Sequence, residues 1–203
     1  MDASGARSAG DVLRDVPGVN LLASGGRAGV TNAFIRGGDS NFTLVLLDGV
    51  ALNDSTDLNG GAVNLEGLPT DFIERVEVVR GPLTSFYGPG SLSGVVQLFT
   101  RRAGPGRGRA AVGGDVGDSG FRHVFGRVSG AEGAGGYSAG AAWNQEQARV
   151  GEDTFRGLDL WATRDVALGA TTALGFSGRF AAADAEDYPD GSGGPIYGNA
   201  RRR

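Results

Sequence analysis

The feature that most constrains this chain is the alternation of apolar and polar residues in its second half. From Tyr137 to Glu146, one set of alternate residues is Tyr, Ala and Trp, and the residues between them are mainly Ser, Gly, Asn and Glu. Successive side chains of a β-strand point to opposite faces, so this stretch predicts a strand with one apolar and one polar face. Similar stretches surround Leu158 and Phe176. We therefore predict about five strands beyond Gly104, each near the roughly 9–11 residues of a tilted strand that crosses a bilayer.

The predicted connections between these strands alternate in length. Short turns are expected near Gly133 and Gly169, and longer polar segments are expected at 145–155 and from Asp184 onward. Short turns at one end and long loops at the other are typical of an outer-membrane barrel. A soluble antiparallel sandwich also alternates, so the second half alone leaves both architectures open.

The first half mixes short helical signals with short strand signals, which predicts a small α+β domain. Ser8 and Asp11 have the spacing of a helix-capping pair, and the Pro17-Gly18 step ends that helix. The pair at 48–49, Asp-Gly, predicts a tight turn between a strand at 42–47 and its returning partner.

Further along the first half, proline marks the predicted starts of short helices. Pro69 is expected to open a turn of helix before a strand at 73–79, and Pro82 is expected at the first position of another short helix. A last strand is predicted at 95–100. We place the boundary between the two halves after Ala103, because the helical signals stop there.

Composition removes several classes of function. The chain has no Cys and one His, His123, which excludes a disulfide scaffold, a thiolate site and most imidazole-based metal or catalytic sets. Because we find no nucleophile with a base, no metal-ligand set and no phosphate loop, we predict a protein that is not an enzyme and uses no cofactor. A formal net charge of -4 gives no reason to expect nucleic acid as a partner.

Two further observations concern the membrane. The longest apolar runs, such as 44–47, are far shorter than the roughly 20 residues of a membrane-spanning helix, so any membrane role must use strands. The residues after Met1 contain no basic segment followed by an apolar one, so we expect that a secretory signal peptide is not present in this chain.

Several ordered motifs of the first half carry a resemblance to a known family. They are DVLRDVPGV at 11–19, FIRG at 34–37, LVLLDGV at 44–50, IERVEVVRGP at 73–82, YG at 87–88 and GVV at 94–96. In this order they resemble the plug of TonB-dependent outer-membrane receptors, and the branch with vitamin B12 and catecholate-siderophore receptors is the most similar in general appearance. The resemblance implies an α+β plug at 1–103, with a small mixed sheet and short helices. It implies that 104–203 are antiparallel transmembrane β-barrel strands.

The resemblance also implies a function. Receptors of this family import scarce, bulky nutrients such as ferric siderophores or cobalamin across the cell outer membrane, with the plug gating the barrel and contributing to ligand binding. The implied partners are outer-membrane lipid, the small-molecule substrate and the energising TonB complex. Arg36 and Arg80 match plug arginines that pair with acidic residues of the barrel wall in the family. Glu74 and Glu77 offer local partners instead, and solvated loop positions are the remaining alternative.

Candidate ligand-facing residues follow from motif position at the outer apices of the plug. They are Asn53, Asp54, Ser55, Thr56, Ser85, Tyr87 and Ser91. Such hydroxyl, amide and phenol groups suit directed hydrogen bonds to a ligand, although the same composition is ordinary turn chemistry. An acidic cluster could chelate calcium, as outer loops do in the B12 receptor branch, but its spacing matches no calcium loop and favours a solvated loop. Its members are Asp184, Glu186, Asp187 and Asp190.

The sequence departs from the family in length. A complete barrel of this family has about 22 strands, so we expect the barrel to be incomplete and the chain to be truncated at its C-terminus. The segment before Ser8 contains neither the family's TonB-binding box nor its first plug strand, so we expect the N-terminus to be truncated as well. The alternative is a stand-alone, plug-like soluble binding module without transport activity.

Overall fold

The computed structural model describes residues 5–24, 29–54, 61–103, 108–118, 120–147, 154–169, 171–187 and 200–202 of the 203-residue chain. It separates into two compact units between Phe99 and Thr100, which we call the first unit and the second unit. The assignment of 1–103 and 104–203 as two domains stays a prediction. Within the described ranges, none of the helices is long and apolar enough to cross a membrane.

The first unit is a mixed α+β structure with a small sheet. Its elements are α1 (Ala9–Arg14), β1 (Val19–Ser24), β2 (Val30–Ile35), β3 (Thr43–Leu47), β4 (Val50–Ala51), β5 (Ile73–Arg80), α2 (Thr84–Tyr87) and β6 (Gly94–Thr100). Strands β1 and β2 form an antiparallel hairpin, and the other four form a sheet in the order β4-β3-β6-β5. Strand β3 runs parallel to β6, which gives the sheet its mixed character. The predicted α+β fold of this half is confirmed.

Local sequence signals explain the ends of α1 and the turn after β3. The Ser8 side chain accepts a hydrogen bond from Asp11 N at 3.1 Å, and the Asp11 carboxylate accepts one from Ser8 N at 3.0 Å, so the predicted capping box is present. Asp48 and Gly49 both adopt positive φ, at 48° and 86°. This conformation matches a tight hairpin turn, and β4 returns antiparallel to β3 as predicted.

Two predicted helix starts are wrong, and long-range pairing explains the first. Residues 69–71 form a bridge and a turn instead of a helix, because Pro69 pairs with Ser8 and Thr70 N donates to Arg7 O at 3.2 Å. Pro82 is not the first residue of α2. The helix begins at Thr84 after the cap residue Leu83, whose N–H donates to Ser91 O at 3.0 Å.

The second unit is an antiparallel sheet in which every strand pairs with its neighbour in the chain. Its strands are β7 (Arg109–Val116), β8 (Arg122–Glu132), β9 (Gly135–Gln147), β10 (Thr154–Ala167), β11 (Ala173–Asp187) and β12 (Ala200–Arg202). Five of the six are 8 to 15 residues long, which confirms the prediction of about five strands, and β12 has only 3 residues. In the described part of the chain, β7 and β12 are the edges of this open sheet.

The two faces of this sheet have the reverse of the burial expected for a protein in water. On β10, Leu158 and Leu160 are 39% and 40% exposed, whereas the intervening Asp159 is only 5% exposed. On β9 the alternate polar residues Ser138 and Asn144 are buried as well, whereas on β11 both faces are largely exposed, with Phe176 and Phe180 at 60% and 59%. A sheet in water normally buries its apolar face and solvates its polar face. Burial therefore adds a direction to the predicted alternation: the apolar face is the outer one.

Candidate functional site

Three of the sequence motifs of the first unit meet at the turn formed by Pro17 and Gly18. Gly18 O accepts a hydrogen bond from Arg36 N at 3.0 Å. Pro17 O accepts one from Arg80 Nη2 at 2.7 Å. The turn before β1, the end of β2 and the end of β5 are therefore joined at one point, although β5 is far from the other two in sequence.

Gly94 brings a fourth motif to the same region. A Cβ added to Gly94 would lie 2.8 Å from Ile35 Cδ1 and would overlap Val79 O, so no side chain fits there without movement of the backbone. The neighbouring Ser93 O accepts a hydrogen bond from Gly81 N at 2.9 Å. The close approach of β6 to the end of β5 thus requires glycine at this position.

The two arginines singled out from the sequence differ in their local environment. Both side chains are exposed. The Arg80 guanidinium donates a hydrogen bond to Pro17 O. The backbone of Arg36 adopts a positive φ of 51°. Glu77 does not pair with Arg80. Its carboxylate instead pairs with Arg75 Nε at 3.0 Å, and the Arg75 guanidinium lies 4.1 Å from the centroid of the Phe99 ring. A role for Arg36 and Arg80 in holding the plug to the barrel wall stays a prediction.

The face of the second unit opposite the apolar face carries polar side chains and two ion pairs, one largely buried and one partly exposed. Asp159 pairs with Arg179 of the neighbouring strand, and Asp165 pairs with Arg102, which precedes β7. Trp161 lies over Gly140, where an added Cβ would overlap the indole ring. Carboxylates, guanidinium groups and hydroxyls on the inner side of a sheet fit a wall that faces a polar interior.

The comparison with known families decides the nature of the first unit. Residues 1–95 match the family model of the TonB-dependent Receptor Plug Domain. This segment is a TonB-dependent receptor plug domain. The residues that meet at the Pro17-Gly18 turn, together with Gly94, all lie within the matched residues, so the described geometry belongs to the plug domain itself.

Solved structures extend the likeness in fold beyond the plug domain. One is the ferripyoverdine receptor of the Pseudomonas aeruginosa outer membrane bound to ferripyoverdine, at 19% identity, with a TM-score of 0.74 and 92% of this chain covered. Another is the siderophore receptor PirA of Acinetobacter baumannii, at 21% identity, with a TM-score of 0.69 and 93% covered. A third is a mutant of the ferric enterobactin receptor of P. aeruginosa in complex with enterobactin, at 20% identity, with a TM-score of 0.65 and 88% covered.

These likenesses confirm the predicted architecture of a plug-like mixed sheet followed by antiparallel strands. The chain spans 24% of the length of the ferripyoverdine receptor structure and 31% of the length of the other two. At this level of identity the shared property is the fold.

Asn53 has a structural role in the plug domain. Its Oδ1 accepts a hydrogen bond from Val45 N at 2.7 Å, and its Nδ2 donates to Thr43 O at 3.0 Å and to Gly61 O at 2.9 Å. The side chain thereby ties β3 to the segment that follows β4. Ligand contact by Asn53, which the sequence predicted, would have to compete with these bonds.

Replacing Asn53 with alanine should therefore destabilise the plug domain by about 2–4 kcal/mol, because backbone groups of β3 and Gly61 lose their partners. Asn20→Ala is the matched control, because Asn20 is exposed on β1. Hydrogen exchange of the β3 amides in the full chain measures the effect. Equal protection in the two variants would show that the amide is dispensable.

The other predicted ligand residues lie in different environments. Ser85 and Tyr87 are exposed on α2, whereas Ser91 is fully buried and donates from Oγ to Gly88 O at 2.7 Å. Asp54 is exposed, and its N–H donates to Ala62 O at 3.0 Å. Ser55 and Thr56 lie outside the described residues. Of this set, α2 presents two side chains outward, and ligand binding by any of them stays a prediction.

Sequence reasoning missed the apolar residues beside these polar candidates. Phe86 is 83% exposed on α2, Leu92 is 48% exposed, and Phe42 is 40% exposed. Phe42 belongs to the same region, because its carbonyl accepts a hydrogen bond from Ser93 N at 2.8 Å. The sequence signal for this exposed apolar surface lies at 84–88. Two aromatic residues occur there between turn-forming residues, on a helix too short to bury both.

The acidic cluster proposed for calcium is only partly described. Asp184 is exposed near the end of β11, whereas the side chains of Glu186 and Asp187 and the whole of Asp190 lie outside the described residues. Among described residues, no group of three or more His, Cys, Asp or Glu side chains could hold a metal ion. Calcium binding by the full cluster stays a prediction.

Proposed function

We propose that this chain is part of a TonB-dependent outer-membrane receptor that takes up a scarce, bulky nutrient. The observation that carries the proposal is a plug domain followed by a sheet whose apolar face is exposed and whose polar face is buried on β9 and β10. That sidedness suits strands in contact with lipid, because hydrocarbon solvates apolar side chains and offers no partner for polar ones. The proposed role moves the substrate without making or breaking bonds.

We propose a ferric siderophore as the substrate class. The receptors of similar fold were solved with ferripyoverdine or enterobactin, or are named siderophore receptors, which supports this class over cobalamin. The exposed Phe86, Tyr87 and Leu92 support it further, because apolar and phenolic surface can pack against the aromatic groups that many iron chelates carry. The TonB complex is the proposed partner that supplies energy for release.

The backbone of Arg36 supports a role for its side chain in the receptor. At φ of 51° a residue with a Cβ is strained by roughly 1 kcal/mol, and the exposed side chain forms no ion pair within the described residues. Backbone hydrogen bonds hold this conformation, from Arg36 N to Gly18 O and from Gly38 N to Ile35 O, so the side chain is not what maintains it. We propose that the Arg36 guanidinium acts on another part of the intact receptor, and that Arg80 does so together with its bond to Pro17 O.

Arg36→Gly should accordingly leave the full chain equally stable or more stable by up to about 1 kcal/mol, since glycine adopts this conformation without strain. Arg80→Ala should cost about 0.5–1.5 kcal/mol through loss of the bond to Pro17 O. Hydrogen exchange of the plug-domain amides compares the two variants. A large loss of protection in Arg36→Gly would show that its side chain stabilises the plug locally.

The proposed function predicts that the 203-residue chain depends on detergent or lipid. Expressed without either, the chain should aggregate, because the outer face of β8 to β11 is apolar and exposed. Size-exclusion chromatography with and without detergent, followed by chemical unfolding, measures this. A monodisperse, detergent-free preparation with cooperative unfolding would contradict the receptor proposal and support the stand-alone soluble module.

A further inference from the structure

The outer face of the second unit carries one row of residues that breaks its apolar character. Arg122 on β8 is paired in register with Gln145 on β9, and Gln145 is aligned with Arg156 on β10. Both arginines are exposed. Asp184 continues the row on β11 as the cross-strand neighbour of Arg156. The row lies at the end of the sheet where β8 and β10 begin and β9 and β11 end.

This row marks one border of the apolar face. The next row along the strands consists of Val124, Trp143 and Leu158, which are aligned with one another. At the other end of the same face, Arg164 is aligned with Tyr137 and Phe176. No charged residue of the described strands lies on this face between Arg156 and Arg164.

The height of the uncharged band matches a membrane. Arg156 and Arg164 are eight positions apart on β10, so they are separated by roughly 27 Å along the strand at about 3.4 Å per residue. At a tilt of about 40° this gives a height of roughly 20 Å, near the roughly 25 Å apolar band of outer-membrane strands. Trp143 and Tyr137 lie next to the two borders, where amphipathic aromatic side chains are favoured.

The chemistry of the border row favours an anion. Arg122 and Arg156 are two strands apart, or about 10 Å between backbones, so two flexible guanidinium groups can converge on one phosphate. Each offers a planar fork of donors suited to phosphate oxygens, and the Gln145 amide adds a donor between them. The opposite border row has a single arginine, Arg164, aligned with two aromatic residues, so a pair of arginines is found at one end of the face among the described strands.

We propose that Arg122, Gln145 and Arg156 bind the phosphate-bearing headgroup of an anionic lipid whose acyl chains lie on the adjoining apolar face. This inference rests on the proposed function, because it requires that face to contact lipid. Asp184 is the cross-strand neighbour of Arg156, but the two side chains form no ion pair in the structure, so the Arg156 guanidinium remains able to bind an anion. The row of anion-binding side chains ends at β10, because the next position, Asp184 on β11, is acidic.

Vesicle flotation of the full chain tests the site. The vesicles are pure phosphatidylcholine, or phosphatidylcholine with about 30% phosphatidylglycerol, at low ionic strength. Two arginines near an anionic surface should make binding to the anionic vesicles about tenfold tighter or more. Arg122→Gln and Arg156→Gln should each remove several-fold of that preference, and the double variant should remove most of it. Arg109→Gln is the matched control. It removes the same charge, but Arg109 lies on the polar face of β7, so the substitution should have little effect on the preference for anionic vesicles.

Competition with inorganic phosphate, against chloride at equal ionic strength, distinguishes the two sources of the phosphate group. Partial competition that disappears in the double variant supports a headgroup site. Complete loss of the anionic preference in millimolar phosphate would assign the site to the free ion and overturn the lipid assignment. Tight binding to both vesicles with no preference, or a preference kept by the double variant, would overturn this inference alone. Failure to bind either vesicle would overturn the proposed function as well.

Discussion

Gly94→Ala should unfold the plug domain or destabilise it by about 3 kcal/mol or more, although it adds only one methyl group. The added Cβ would overlap Val79 O and lie 2.8 Å from Ile35 Cδ1. A side chain could rotate away, but Val79 O belongs to the backbone of β5, next to β6 in the sheet. Intrinsic strand preference alone would make Gly94→Ala slightly stabilising, because alanine is a better strand residue than glycine. Packing predicts the opposite change in stability.

Hydrogen exchange of the β3 and β6 amides in the full chain is the measurement. Tryptophan fluorescence would not report on the plug domain, because both tryptophans, Trp143 and Trp161, lie in the second unit. Gly90→Ala is the control, because a Cβ there would meet only Asn41 O at 3.9 Å. Exchange protection in Gly94→Ala equal to that of the control would contradict the described contact between β6 and the end of β5.

Leu160→Arg should reduce insertion of the chain into neutral vesicles by at least about 30-fold. Leu160 lies midway between Arg156 and Arg164 on the outer face, and its cross-strand neighbours are Ala141 and Phe180. A charge near the centre of a lipid-facing band costs about 2–4 kcal/mol, which is the basis of the expected factor. The border arginines avoid this cost because they lie at the ends of the band.

Ser177→Arg is the control for this variant, because Ser177 is exposed on the opposite, polar face of β11. It adds the same side chain to the same sheet and should change insertion less than threefold. Comparable losses in the two variants would mean that the two faces of the sheet do not differ in their contact with lipid.

Features determined by nearby residues could be predicted from the sequence. The Ser8 and Asp11 capping box and the turn at Asp48 depend on a few neighbouring residues, and both are found. The strands of the second unit follow from alternation, which requires only the two-residue period of a strand. The family motifs added the plug, which local patterns alone would have left as a generic α+β domain.

Features that depend on distant residues could not be predicted. Pro69 forms a bridge with Ser8 in place of a helix, and a proline signal contains no information about that partner. The hairpin of β1 and β2 was missed because β2 buries the polar Thr31 and Asn32 together with Ala33, so it shows no alternation. At the candidate site, the three bonds of Asn53 and the exposure of Phe86 depend equally on the tertiary fold.

The central claim is that Leu158, Leu160 and Phe180 contact lipid while Asp159, Trp161 and Arg179 do not. Because the chain has no Cys, single cysteine substitutions can carry one spin label each at these positions. The measurement is the accessibility of each label to oxygen and to a water-soluble nickel chelate, with the full chain in vesicles. We predict high oxygen and low chelate accessibility at the first three positions and lower oxygen accessibility at the other three. Equal accessibility along β10 and β11, or chelate access to the first three, would contradict the account.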